Sequence, residues 1–90
     1  MTDVRIPPVL RAATGGAKRI SLEGTTVREV IDRLVAAYPG TARQLRTPDG
    51  ELNRFVNVFV NGTDIRHLES QDTPVGQADE LVLLPAMAGG

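Results

Sequence analysis

Apolar and polar positions change period several times along this chain, and each change marks an element. Val4, Ile6, Val9 and Leu10 surround Pro7-Pro8 near the start. This predicts a strand over residues 3–11, edged or interrupted by prolines that cannot donate to a ladder. Thr14-Gly15-Gly16 reads as a turn. Ile20 and Leu22 then alternate with Arg19, Ser21 and Glu23, the period of a half-buried strand. The two strands together predict an N-terminal β-hairpin.

The period then lengthens. Val27, Val30, Ile31, Leu34, Val35 and Tyr38 fall at i, i+3, i+4, i+7, i+8 and i+11, one apolar face of a helix. Thr26 and Glu29 have capping-box spacing at its start. Pro39 and Gly40 end it. One more helical turn is expected over residues 41–46, followed by a Thr-Pro-Asp-Gly turn over 47–50. Residues 55–60, Phe-Val-Asn-Val-Phe-Val, predict a strand. Asn61-Gly62 predicts a tight hairpin, with a returning strand over residues 63–66. Residues 67–80 are polar and irregular. Leu81-Val82-Leu83-Leu84 is continuously apolar, the look of a strand in the middle of a sheet and buried on both faces, with Pro85 terminating it. A hairpin, a crossing helix and a late central strand make an α+β domain.

Composition narrows the chemistry. Ninety residues make one domain. Ten basic and eleven acidic residues give a formal net charge of -1, which offers no electrostatic attraction to nucleic acid or an anionic membrane. There is no cysteine, so disulfides, thiolate metal sites and thiol nucleophiles are excluded. No apolar run reaches the ~18 residues of a membrane span, and the N-terminus lacks the layout of a signal peptide; the expected location is the cytoplasm. His67 is the sole histidine and reads as a surface residue. Asp72, Asp79 and Glu80 read as solvated loop carboxylates. Gly15-Gly16 lacks the strand-loop-helix context of a phosphate cradle. No metal site or catalytic constellation is expected.

Two features remain. Phe55, Asn57 and Phe59 fall on one strand face, and Val56, Val58 and Val60 on the other. The valine face suits the core, which leaves Phe55, Asn57 and Phe59 as a candidate partner-binding face. The second feature is the tail: Pro85, Ala86, Met87, Ala88, Gly89 and Gly90. Six residues reach roughly 20 Å, four of them have almost no side chain, and glycine permits close backbone approach. Such a segment suits a narrow channel in a partner. It also suits a frayed terminus, and composition alone leaves both open.

The Arg54–Gly62 stretch, the Ala78–Pro85 stretch and the terminal Ala-Gly-Gly resemble the ubiquitin-like sulfur carriers ThiS, MoaD and CysO, with the CysO type nearest. The resemblance covers nearly the whole chain. It implies a β-grasp fold, with a mixed sheet of four to five strands and one main helix packed across it. The expected division is a domain over residues 1–84 and a flexible Gly-Gly tail over 85–90. The resemblance also implies a carrier without catalysis of its own and without a bound cofactor, monomeric when alone. An E1-like enzyme would use Mg-ATP to adenylate the Gly90 carboxylate, and a sulfur donor would convert it to a thiocarboxylate. Residues 85–89 would thread the partner's channel. Because Gly-Gly closes the sequence, no trimming is expected first. The sulfur acceptor would be a PLP-dependent cysteine synthase, with a metalloprotease releasing the product, or another thio-forming synthase. The small subunit of molybdopterin synthase, a ubiquitin-like modifier joined to lysines and an interaction module with an inert tail are the alternatives.

Overall fold

The computed structural model describes residues 1–85. Five strands form one mixed sheet in the order β2-β1-β5-β3-β4, where β1 is Thr2–Arg5, β2 Arg19–Leu22, β3 Val56–Val60, β4 Thr63–Asp64 and β5 Glu80–Pro85. β1 runs antiparallel to β2 and parallel to β5, and β5 runs antiparallel to β3. Helix α2, Val27–Ala37, packs across one face. This is the β-grasp arrangement.

The core follows the two periods in the sequence. Val4, Val58, Val60, Leu81 and Leu83 point from the sheet, and Val27, Val30, Ile31 and Leu34 from α2; all are buried. Each such side chain contributes roughly 1.5–3 kcal/mol when fully buried. Leu10, Leu45, Ile65 and Val75 complete the cluster. The start of α2 is tied to the loop before β5, since Val27 N–H donates to the Thr73 carbonyl and Val75 N–H to that of Thr25, both at 3.0 Å.

Several elements differ from expectation. The first strand stops at Arg5, and the prolines open a helix, α1, over Pro8–Arg11. Proline at the first helical position loses no hydrogen bond and has its φ already set. The hairpin β1–β2 forms around this insertion. At α2 the Thr26 hydroxyl accepts from Glu29 N–H at 3.2 Å, as the capping box requires. Glu29 reaches back one residue further, to the N–H and hydroxyl of Thr25. The extra helical turn forms as a 3-10 turn over Pro39–Thr41 and helix α3, Ala42–Leu45.

The Asn61-Gly62 hairpin forms with φ of 51° and 89°, values that asparagine and glycine adopt most cheaply. Its returning strand is only two residues long. The Asp64 carboxylate accepts from Arg66 N–H at 2.8 Å and turns the chain into a 3-10 helix, Ile65–His67. β5 does lie in the middle of the sheet, but only one of its faces is buried. Leu81 and Leu83 are inside, Val82 is half-buried and Leu84 is exposed. Among the described residues no second layer covers that side, so continuous apolarity here marks an open apolar face.

Candidate functional site

The described residues end on β5, which pairs with β1 on one side and β3 on the other. Pro85, read from sequence as the strand terminator, is the strand's last residue and pairs with Val56. Ala86, Met87, Ala88, Gly89 and Gly90, the residues expected to carry the chemistry, lie outside the described residues. What the structure supplies is the platform from which they depart.

Alternation along β5 and β3 builds the open face. Val82 lies opposite Phe59 on one side and Arg5 on the other, and Leu84 lies opposite Asn57. Phe59 and Asn57 are half-buried there, as the valine-inward reading of β3 requires. Phe55 differs from expectation. It precedes β3 and is 57 % exposed, held in a turn where its N–H donates to Asn53 Oδ1 at 3.0 Å. The predicted trio therefore divides: Asn57 and Phe59 share the sheet face, and Phe55 stands at its end beside Pro85's partner Val56. Sequence reading missed Val82 and Leu84, although period two applied to residues 80–85 would have placed both on the face with Phe59.

Charged groups frame the apolar strip on both sides. Arg19 bonds Glu80 at 2.7 Å and lies 3.4 Å from Asp3. On the other side Arg66 bonds Asp64 at 2.7 Å and donates to Asn57 Oδ1 at 3.1 Å. The Arg66 side chain, and then its backbone N–H, hold the Asp64 carboxyl at about 2, below its ordinary 3.8. Asp64 is thus ionised at any physiological pH, and Asn57 is fixed by the same arginine. Asn61 adds a clamp at the far end, where its amide bonds Asp79 Oδ1 at 2.8 Å and accepts Glu80 N–H at 2.9 Å.

His67 is exposed in the 3-10 turn, and Asp72 pairs with Arg28. Among the described residues no group of three or more His, Cys, Asp or Glu is placed to hold a metal ion. Among them, too, no helix is long and apolar enough to cross a membrane. The Gly15-Gly16 pair forms the turn before β2.

Comparison with known proteins fits this geometry. The sulfur carrier protein CysO of Mycobacterium tuberculosis is 43 % identical over 89 residues, covering 97 % of this chain and 96 % of its own length. A chain in the crystal structure of the Amycolatopsis orientalis BexX/CysO complex superposes with a TM-score of 0.89 at 39 % identity, both chains covered in full. The solution structure of small archaeal modifier protein 1 from Methanosarcina acetivorans also gives 0.89, at 30 % identity, with 99 % of this chain and 95 % of that one covered. The ThiS family matches residues 4–90, so it includes the last strand and the Gly-Gly end. A β-grasp domain with its final strand central, matched from Val4 to Gly90 and near-full-length kin to CysO, belongs to the ThiS family of ubiquitin-like sulfur carriers.

Proposed function

We propose that this protein carries sulfur on its C-terminal glycine. An E1-like enzyme adenylates Gly90: a carboxylate oxygen attacks the α-phosphorus of Mg-bound ATP and pyrophosphate leaves. A carboxylate is a poor electrophile until its oxygen becomes a good leaving group, and the adenylate supplies that. A sulfur donor then displaces AMP and leaves a thiocarboxylate. The terminal sulfur is a nucleophile held on a protein, and it needs no cysteine in the carrier. The acceptor is a biosynthetic enzyme, a PLP-dependent cysteine synthase or another thio-forming synthase. The carrier's part is to present the tail and offer a surface by which each partner recognises it. In this reading the strip of Phe59, Val82 and Leu84 is that surface.

The observation that carries this reading is the family match running through to residue 90 together with 43 % identity to CysO. The test is intact mass. Incubation with the cognate E1-like enzyme, Mg-ATP and a sulfur donor should replace one oxygen by sulfur, and deletion of Gly90 should abolish the change. An unchanged mass with every E1-like enzyme of the source organism rejects the proposal.

The likeness to a small archaeal modifier favours one second reading, a modifier joined to lysines through Gly90. Isopeptide-linked ladders in cell lysate, lost when Gly90 is deleted, would identify it.

A further inference from the structure

Leu84 is exposed on the open sheet face, while Val9 and Phe55 are exposed in a cleft beside Val56. Val9, Phe55 and Leu84 are 53, 57 and 46 % exposed. Val9 and Phe55 line a cleft of about 260 Å³, walled also by Pro7, Leu10, Arg43 and Val56. Val56 is the partner of Pro85, and Leu84 directly precedes Pro85. The cleft therefore opens beside the root of the tail. Phe59 and Asn57 do not line it, so it is distinct from the open sheet face.

Its size and charge restrict the occupant. Small-molecule pockets begin at roughly 300 Å³ and enclose their ligand, so this cleft suits a single protruding side chain better than a cofactor. Arg43 is the one charged group in its lining. It makes no salt bridge among the described residues. The length of the tail supplies the occupant. Five residues beyond Pro85 span at most ~18 Å. An enzyme that brings Gly90 into its active site therefore has its channel rim within that reach of Pro85, whose partner Val56 lines the cleft.

We infer that this cleft is a docking pocket for the rim of the tail-receiving enzyme. The rim seats an apolar side chain against Val9, Leu10 and Phe55 and sets a carboxylate against Arg43. This rests on the carrier reading above and adds to it a second contact, separate from the sheet face.

The test is steady-state adenylation of the full chain by its E1-like enzyme, with Phe55→Ser, Val9→Ser and Arg43→Glu compared with wild type. Leu68→Ser, an exposed apolar position outside the cleft, is the control. Docking energy is the same in the ground and transition states, so it appears in KM and not in kcat. The cleft variants should raise KM for the carrier by about tenfold, the effect of ~1.4 kcal/mol, with kcat and unfolding temperature unchanged. The control should match wild type. An acidic-to-lysine change on the enzyme rim should restore Arg43→Glu. Normal KM in all three cleft variants, with wild type adenylated, overturns the docking pocket and leaves the carrier reading intact. A wild-type chain that no E1-like enzyme adenylates overturns both. Self-association abolished by Phe55→Ser would assign the cleft to a second copy. Val9 methyl resonances that shift on deletion of residues 86–90 would assign it to the chain's own tail. Either result overturns the inference.

Discussion

Asp64 and Arg66 are two residues apart, yet between them they end a strand, fix Asn57 and set a charge on the open face. The cause of the low Asp64 pKa is local, so its removal should be too. In Arg66→Ala the side-chain cause is lost and the backbone N–H remains, so the Asp64 carboxyl should rise from about 2 toward, but stay below, its ordinary 3.8, read by carbon chemical shift. A value still near 2 would place the cause elsewhere. The sign of the linkage follows from a folded pKa below the unfolded one. The contribution to stability is present above pH 3.8 and is lost as pH falls through about 2. Thermal unfolding of wild type should therefore lose more than that of Arg66→Ala across this window. In the tail sequence, Gly89→Leu tests whether thinness matters. Misplacement near reacting atoms costs on the order of 100-fold, and adenylation should fall by that much with unfolding temperature unchanged. Normal adenylation would remove the channel argument. Gly89 and Gly90 stand out in the sequence, where composition alone leaves a channel-threading tail and a frayed terminus both open, and they lie outside the described residues; the Asp64–Arg66 pair could be foreseen from its spacing. The Arg66 side chain's link to Asn57 could not, because nine residues of sequence separation say nothing about contact across a hairpin.

At the scale of elements, local grammar carried well where it was complete. Helix α2 has a cap, one apolar face and a stop, and it forms over Val27–Ala37. Loss of the Thr26 hydroxyl should cost about 1 kcal/mol, measured by denaturant unfolding of Thr26→Ala. The loss should stay at the lower part of the cap range, since Glu29 would still accept from Thr25. A neutral substitution would mean that the ties to Thr73 and Val75 alone fix the helix start. Elements were misread where one residue type has two uses. Pro7-Pro8 signals the end of a strand and equally the start of a helix. Residues 63–66 have strand composition, yet an aspartate that bonds the amide two residues on ends the ladder after Asp64.

For the whole molecule, the α+β architecture and the central place of the last strand were readable from order and hydrophobicity alone. The open outer face was only half readable. Phe59 was placed correctly from the valine alternation in β3, but the apolar run in β5 concealed which of its residues face out. Phe59 is half-buried and sits on the sheet opposite Val82, so Phe59→Ala should weaken binding to the adenylating enzyme more than it weakens the fold. Calorimetric Kd and chemical unfolding on the same variant give the comparison. Large destabilisation with intact binding would mean that this face serves stability alone.

The pairing of β5 on both edges has a mechanical consequence. Traction on the chain at Pro85 acts along the strand, and β1 and β3 grip it from either side. Their hydrogen bonds then bear load together in shear, and cannot open one after another as they would at a strand peeled from a sheet edge. Tension applied at Pro85 is therefore shared between the two neighbouring strands. Under the proposed carrier role, a partner that draws residues 86–90 into its channel would leave the sheet's shape intact.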